Sequence, residues 1–282
     1  MRLTPRAAAV ALATVLLAVP GLAACGSSDE PGTGTSTTPT ATQEASPTAD
    51  DLTGDLRIFA AASLEPVFDE LAAAFVAEHP GVTVDPITYD GSSTLATQLV
   101  EGATADVLAT ADEKNMQTVV DAGLVSGEPQ VFTTNTLQIV VPAGNPKNIS
   151  SLADLAALTA DGGKVVLCAP EVPCGSASQK VLDAAGVSFT PASYEQNVTA
   201  VLTKVAGDEA DAGLVYRTDV LKADDDVDGI DFPEAAEVVN RYPIATLTSA
   251  TSTDVAEAFI AFVLSADGQE LLAARGFVAP GA

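Results

Sequence analysis

Short apolar segments alternate with amphipathic segments along the chain from Leu56 onward. Strands are predicted where an apolar run is short and compact, and helices where apolar residues recur every three or four positions. By these criteria the first strands lie at 57–61, 82–87 and 107–110, and the first helices at 64–78, 93–101 and 112–122. Strands that alternate with helices in this way are typical of parallel sheets.

Two further β-rich segments, at 130–142 and 241–247, interrupt this alternation. We interpret each as a strand that leaves one lobe and enters another, so that the pair forms a hinge. The predicted fold class is therefore α/β, with two lobes that each contain a mostly parallel sheet flanked by helices. Lobe 1 comprises 55–133 and 244–282, and lobe 2 comprises 134–243.

The first 24 residues have a different pattern, with a basic start, an uncharged apolar run at 7–19 and small residues before Cys25. This pattern predicts a signal peptide at 1–24. The sequence Leu-Ala-Ala-Cys at 22–25 resembles the lipobox of bacterial lipoproteins, which implies cleavage before Cys25 and lipidation of its sulfur. We therefore expect an extracytoplasmic protein that is lipid-anchored to the outer face of the cell membrane.

Residues 25–54 consist largely of Ser, Thr, Gly, Pro, Ala and acidic residues and have no periodic apolar face. Such a segment cannot bury enough apolar surface to offset the entropy that it would lose on ordering. We predict a flexible tether whose reach is on the order of 30 Å.

The charge balance is strongly acidic, with 12 Lys and Arg against 38 Asp and Glu and a net charge of -26. Removal of the signal peptide takes away two arginines and leaves 10 basic residues against 38 acidic ones, a net charge of -28. This balance disfavours nucleic acid and anionic membrane surfaces as electrostatic partners. The single histidine, His79, lies at a predicted helix end, and the sequence contains no metal-ligand spacing and no nucleophile with its base. We predict a binding protein without a cofactor rather than an enzyme.

Four predicted turns open directly into helices, at Ser63, Ser92, Cys174 and Val198, with Ser63 as the N-cap of its helix. The free N–H groups and the dipole at a helix N-terminus attract anions, and a serine hydroxyl adds a neutral donor. Tyr216 ends a buried strand, at the sheet edge where open α/β sheets bind ligands. Donors without nearby acceptors favour a fully ionised oxyanion, such as sulfate or molybdate, over hydrogen phosphate.

Cys168 and Cys174 are the cysteines that remain once Cys25 is lipidated. An exported location favours a disulfide between them over two free thiols. A surface thiol-redox protein that uses this pair is an alternative from another functional class, because a helix N-terminus activates a cysteine.

Several motifs, taken together and in order, resemble those of the molybdate-binding proteins of ABC importers. They are Phe-Ala-Ala-Ala-Ser-Leu at 59–64, Ser-Ser-Thr-Leu-Ala at 92–96, Ala-Asp-Val at 105–107, Pro-Glu-Val-Pro-Cys-Gly at 170–175 and Val-Tyr at 215–216. The resemblance implies a two-lobed periplasmic-binding-protein fold, type II-like, that closes over molybdate or tungstate. It also implies delivery of the ligand to an ABC permease and its ATPase, and we expect the receptor to be a monomer. Receptors for sulfate, thiosulfate or phosphate are alternatives in the same class.

The resemblance also implies a role for each candidate residue. Ser63 and Ser92 would supply hydroxyl and backbone N–H donors, Cys174 and Val198 would supply backbone N–H groups, and Tyr216 would supply its hydroxyl. These groups would surround a single molybdate or tungstate ion.

The chain departs from the family pattern at two of these places. Alanine is common in the family where this chain has Cys174, and small uncharged residues are common where it has Asp90 and Gly91. If Cys174 acts through its backbone, its side chain is free to pair with Cys168 and brace the ligand loop. Asp90 would oppose an anion unless its side chain turns away.

Overall fold

The computed structural model describes residues 52–281, except the side chain of Asp224. The predicted signal peptide, the lipidation site at Cys25 and the tether up to residue 51 lie outside the described residues. Between residues 52 and 281, no helix is both long and apolar enough to cross a membrane.

The described chain consists of strands and helices in alternation, with longer strands where the chain passes between sheets. The strands are β1 (Thr53–Leu56), β2 (Ile58–Ala61), β3 (Gly81–Val84), β4 (Thr88–Asp90), β5 (Val107–Ala109), β6 (Val125–Asn135), β7 (Leu137–Pro142), β8 (Val165–Cys168), β9 (Ser193–Glu195), β10 (Ala212–Tyr216), β11 (Val227–Ile230) and β12 (Asn240–Leu247). The helices are α1 (Glu65–Glu78), α2 (Ser92–Val100), α3 (Glu113–Asp121), α4 (Leu152–Ala160), α5 (Pro173–Ala185), α6 (Val198–Ala206), α7 (Arg217–Ala223), α8 (Thr253–Leu264) and α9 (Ala266–Ala274).

The strands form two large sheets, one in each lobe. The sheet of lobe 1 has the order β4-β2-β5-β12-β6, and the sheet of lobe 2 has the order β11-β7-β10-β8-β9. The α/β class with two lobes is as predicted, but both sheets are mixed rather than mostly parallel. In lobe 1, β2 runs parallel to β4 and β5, whereas β12 runs antiparallel to β5 and β6. In lobe 2, β8 runs parallel to β9 and β10, whereas β7 runs antiparallel to β10. The reversed strand in each sheet is thus the one that enters from the other lobe, β12 in lobe 1 and β7 in lobe 2.

The chain passes between the two sheets at two places. The first passage is at Thr136, between the end of β6 and the start of β7, so the segment predicted as one crossover strand is two strands. The second passage is the segment 231–239 between β11 and β12. Asn240 at the start of β12 lies opposite Asn135 at the end of β6 in the sheet of lobe 1. The two strands that lead to and from lobe 2, β6 and β12, are therefore neighbours at the hinge, and we call them the crossing strands. The predicted lobe limits at 133 and 244 fall inside β6 and β12.

Strand β1 pairs in parallel with β3 as a separate two-stranded sheet, from Thr53 opposite Gly81 to Leu56 opposite Val84. The strand therefore includes the last two residues assigned to the tether, and the folded part begins earlier than the predicted start at 55. Backbone pairing, rather than a periodic apolar face, orders these residues, which is why composition alone missed them.

The core of lobe 1 joins the first helix to the C-terminal ones. The ring of Phe68 on α1 lies 5.8 Å from that of Phe132 on β6 and 6.1 Å from that of Phe259 on α8, both edge to face. Phe75 adds a further edge-to-face contact with Phe259 at 5.4 Å. Edge-to-face aromatic pairs contribute about 0.5–1.5 kcal/mol each beyond the area that they bury. They hold the C-terminal helices on lobe 1, where the sequence predicted them.

Candidate functional site

The five candidate ligand residues line one small cavity between the lobes: Ser63, Ser92, Cys174, Val198 and Tyr216. The cavity has a volume of about 10 Å³, about the room that one water molecule needs, so the two lobes are closely packed around it. Larger grooves lie on the outside of the described chain, among them one of about 590 Å³, but none of the candidate ligand residues lines that groove.

Helix N-termini from both lobes meet at this cavity. Ser92 is the first residue of α2 in lobe 1, Val198 is the first residue of α6 in lobe 2, and Cys174 is the second residue of α5. Ser63 is not an N-cap as predicted: it lies in a 3₁₀ turn, Ala62–Leu64, and Leu64 is the N-cap of α1. Helix α1 starts at Glu65, one residue later than the periodicity suggested, and the 3₁₀ turn precedes it. The first N–H groups of a helix have no partner within the helix, so this cavity is rich in N–H donors.

Three buried hydroxyls complete the lining. Ser92 Oγ accepts a hydrogen bond of 3.0 Å from the backbone N–H of Ala111. Tyr216 Oη accepts one of 3.0 Å from Asn240 Nδ2, and Ser63 Oγ lies 3.1 Å from Tyr242 Oη. Each hydroxyl is thus held by a partner from lobe 1, whichever lobe supplies the residue itself.

Burial determines the protonation of the tyrosines in this region. It raises the pKa of Tyr216 well above the ordinary value of 10, and the neighbouring Tyr242, Asp112 and Asp219 raise it further. Burial likewise raises the pKa of Tyr242. Both phenols are therefore neutral at any physiological pH and keep a proton that can be donated.

A buried carboxyl supports the end of β10. Asp219 Oδ2 accepts a hydrogen bond of 2.9 Å from the backbone N–H of Tyr216. Burial raises the pKa of Asp219 to about 7, and it does so against the opposing effects of that hydrogen bond and of Lys222. The group titrates near neutrality directly behind the cavity.

Asp90 has its carboxylate engaged within the protein. Asp90 Oδ1 accepts hydrogen bonds from the backbone N–H of Gly91 at 2.7 Å and from Asn197 Nδ2 at 3.0 Å. Asn197 is the N-cap of α6, and its Oδ1 accepts from the backbone N–H of Ala200 at 2.9 Å. A single amide therefore joins the end of β4 in lobe 1 to the start of α6 in lobe 2. Sequence reasoning identified Asp90 as unusual but did not find Asn197, 107 residues away.

The lobes are in close contact beside this bridge. A Cβ atom built on Gly91 would lie 2.1 Å from the carbonyl oxygen of Gln196 and 3.1 Å from Val172 Cγ1, both in lobe 2. Such distances are far below van der Waals contact. Gly91 therefore lets the backbones of the two lobes touch where the cavity closes.

Cys168 and Cys174 form a disulfide, with their Cα atoms 5.7 Å apart. The bond joins the end of β8 to the first turn of α5, and both residues are buried. A Cβ atom on Gly175 would lie 1.9 Å from the carbonyl oxygen of Ala169, so the backbone of α5 is packed tightly against the end of β8 at this turn. The disulfide braces the loop that carries Cys174, a residue that lines the cavity.

Residues 52–281 contain no cluster of three or more His, Cys, Asp or Glu side chains that could hold a metal ion. The chemistry available at the cavity is hydrogen-bond donation from N–H groups and hydroxyls. That donor set suits an anion that accepts hydrogen bonds on all sides.

Sequence reasoning missed three residues behind the cavity, namely Asn135, Asn240 and Tyr242. All three are buried, and they lie on the two crossing strands β6 and β12. Their only signal was the presence of polar residues within β-rich crossover segments, which did not indicate what they contact.

Comparison with known proteins gives one family and several relatives. The model of the family described as "Bacterial extracellular solute-binding protein" matches residues 56–278. The molybdate-binding protein ModA of Mycobacterium tuberculosis (strain H37Rv) is 46% identical over 262 residues, which cover 93% of this chain and 94% of that protein.

Solved structures with the same fold include two proteins that are named for an oxyanion. The periplasmic molybdate-binding protein of Azotobacter vinelandii superposes with a TM-score of 0.66 at 20% identity, over 80% of this chain and 99% of that one. The sulfate-binding protein SubI of Mycobacterium tuberculosis H37Rv gives a TM-score of 0.68 at 22% identity, over 80% and 87% of the two chains. At these identities the two structures support the fold.

Proposed function

The chain belongs to the family of bacterial extracellular solute-binding proteins, and from this premise we propose that it captures molybdate or tungstate for an ABC importer. The main support is that Ser63, Ser92, Cys174, Val198 and Tyr216, which are far apart in the sequence, line one cavity of hydrogen-bond donors. The name of the relative with 46% identity, a molybdate-binding protein, agrees with that donor set.

In this proposal the ligand lies between the N-termini of three helices. The start of α2 and the hydroxyl of Ser63 bind it from lobe 1, and the starts of α5 and α6 bind it from lobe 2. The backbone N–H groups of Cys174 and Val198 and the hydroxyls of Ser92 and Tyr216 would complete its shell. Hydrogen bonds to a charged acceptor are each worth about 1.5–3 kcal/mol, so a few of them give tight binding to a small ion.

The acidic charge of the protein does not oppose this function. Exposed charges are screened over about 10 Å at moderate ionic strength, whereas N–H dipoles act at contact distance. The carboxylate that lines the cavity, Asp90, accepts two hydrogen bonds from the protein on its Oδ1. Local donors therefore outweigh the distant negative surface.

Sulfate is the second candidate ligand, with the fold shared with SubI in its favour. It has the same charge and tetrahedral shape as molybdate but is smaller, so the fit of the cavity would discriminate between them. Molybdate and tungstate share charge and nearly share size, and we propose that the site accepts both.

We further propose that the receptor works outside the cytoplasm and is held at the membrane by lipid on Cys25. The lipobox-like sequence at 22–25 supports lipidation, and residues 25–51 would act as the tether between the membrane and the folded lobes. A monomeric receptor of this kind would deliver its ligand to a permease and its ATPase.

The proposal is tested by isothermal titration calorimetry on the chain from residue 26 onward, produced without lipid. Molybdate, tungstate, sulfate and phosphate are titrated in parallel. We expect tight one-to-one binding of molybdate and tungstate, weaker binding of sulfate and little binding of phosphate. If sulfate binds more tightly than molybdate, sulfate takes the place of molybdate as the proposed ligand. If none of the four anions binds, the proposal that the chain is an oxyanion receptor is refuted.

A further inference from the structure

We propose that Asp90 and Asn197 form a latch that holds the two lobes closed, and that the affinity of the receptor for its ligand depends on this pair. The inference rests on the proposed function and deepens it, because it assigns two positioning residues to the same cavity. It also gives a role to Asp90, a carboxylate that lines a cavity proposed to bind an anion.

The latch is a single hydrogen bond between the lobes. Asn197, the N-cap of α6 in lobe 2, donates from its Nδ2 to Oδ1 of Asp90, the last residue of β4 in lobe 1, over 3.0 Å. Both side chains belong to half-buried residues. A hydrogen bond to a carboxylate is stronger than one between neutral groups, and partial burial limits its screening by salt.

The direction of this hydrogen bond is fixed by groups that can only donate. Asn197 Oδ1 accepts from the backbone N–H of Ala200 at 2.9 Å, so the other end of the amide, Nδ2, faces Asp90. Asp90 Oδ1 accepts in addition from the backbone N–H of Gly91 at 2.7 Å. Asn197 is therefore the donor of the latch and Asp90 the acceptor.

Each half of the latch is held in place by its own lobe. The bond from Gly91 to Asp90 lies within lobe 1, and the bond from Ala200 to Asn197 lies within lobe 2. Separation of the lobes breaks neither of them, so both side chains keep their orientation. Closure then re-forms the latch without the entropy cost of ordering two free side chains.

The latch lies directly beside two candidate ligand residues. Asn197 immediately precedes Val198, and Asp90 lies two residues before Ser92. Val198 and Ser92 are the first residues of α6 and α2, and they line the cavity from opposite lobes. The latch therefore sets the distance between two helix N-termini whose N–H groups would bind the ligand.

The backbones of the two lobes meet next to the latch. Gly91 of lobe 1 approaches lobe 2 so closely that a Cβ atom on it would lie 2.1 Å from the carbonyl oxygen of Gln196 and 3.1 Å from Val172 Cγ1. Gly91 and Val172 are both buried by this contact. The contact and the hydrogen bond thus form together when the lobes close, and the contact keeps water from one side of the latch.

The test is a double-mutant cycle of Asn197→Ser and Asp90→Ala. Serine caps a helix as well as asparagine does, so α6 keeps its cap, but the shorter side chain does not reach Asp90. Asp90→Asn is the conservative variant, because it removes the charge and keeps an oxygen that accepts from Gly91 and Asn197. Ser151→Ala is the matched control, since it removes the N-cap of α4 in lobe 2 and Ser151 does not line the cavity.

Dissociation constants for molybdate are measured by calorimetry for the wild-type chain, the single variants and the double variant. We expect Asn197→Ser to bind about ten- to hundredfold more weakly than the wild type. In the Asp90→Ala background the same change should add little, because no acceptor remains. Asp90→Asn should bind about two- to tenfold more tightly than Asp90→Ala, since both lack the charge and only the first keeps the hydrogen bond. Ser151→Ala is expected to match the wild type.

The inference is overturned if Asn197→Ser binds molybdate like the wild type. It is also overturned if that change has the same effect with and without Asp90, which would make Asn197 a direct donor to the ligand, or if Asp90→Asn and Asp90→Ala bind equally. In each of these cases the wild-type chain would still bind molybdate, and the proposed function would stand. A wild-type chain that binds no oxyanion would refute the proposed function and this inference with it.

Discussion

Gly91→Ala is expected to abolish tight ligand binding while leaving the fold intact. The backbone of Gly91, with φ -59° and ψ 136°, is equally available to alanine. The added Cβ, however, would lie 2.1 Å from the carbonyl oxygen of Gln196, where ordinary contact begins near 3.4 Å. The lobes would have to separate by about 1.3 Å at this point.

The size of the effect follows from the hydrogen bonds that cross the cavity. A donor about 2.9 Å from the ligand would move to roughly 4 Å, beyond hydrogen-bond distance. If the N–H groups of Cys174 and Val198 lose contact, about 3–6 kcal/mol of binding free energy is lost at 1.5–3 kcal/mol each. The dissociation constant for molybdate would then rise by about a hundredfold to ten-thousandfold.

The assay is calorimetric titration with molybdate, accompanied by thermal unfolding. Gly207→Ala is the matched control, because this glycine also has an ordinary backbone conformation, at the end of α6 away from the cavity. We expect both variants to unfold close to the wild-type temperature and only Gly91→Ala to lose affinity. Binding by Gly91→Ala within about threefold of the wild type would show that contact between Gly91 and Gln196 is not needed for closure, and the reasoning would fail.

Three further changes test other parts of the site. Ser92→Ala removes a buried donor and should weaken molybdate binding about ten- to hundredfold; unchanged affinity in calorimetry would remove Ser92 from the site. Replacing both Cys168 and Cys174 with serine should lower the free energy of unfolding by about 2 kcal/mol, the entropy expected for so short a loop, and urea titration of the variant against the wild type would detect it. Burial raises the pKa of Asp219 to about 7 from 3.8, so the unfolded chain releases this proton at lower pH than the folded chain. The contribution of Asp219 to stability should therefore fall as pH rises from about 4 to 7, by at most on the order of 4 kcal/mol, so in unfolding experiments the wild type should lose stability relative to Asp219→Asn across that range; a constant difference between the two would contradict the pKa assignment.

The elements of the fold were predictable because each depends on a local pattern. The apolar spacing at 64–78 gives α1 to within one residue of its bounds, Glu65–Glu78, and the compact apolar run at 57–61 gives β2, Ile58–Ala61. The strand directions were less accessible, since the reversal of β12 depends on where the chain returns to lobe 1. That is a property of the whole topology and not of any segment.

The candidate ligand residues were predictable for a similar reason, because the start of a helix and the end of a buried strand are local features. The groups that orient them were not. Ser63 and Tyr242 are separated by 179 positions, and Asp90 and Asn197 by 107. A polar residue in a crossover strand has many possible partners, and only the folded chain selects one of them.

The order of strands in the two sheets has a consequence for synthesis. All five strands of the lobe 2 sheet lie within one continuous segment, 137–230. In lobe 1, the strand that joins β5 to β6 is β12, which lies near the end of the chain. A chain made from its N-terminus can therefore complete the inserted lobe first. The sheet of lobe 1 is complete only once β12 (Asn240–Leu247) has been made, and until then β5 and β6 each expose an unpaired edge.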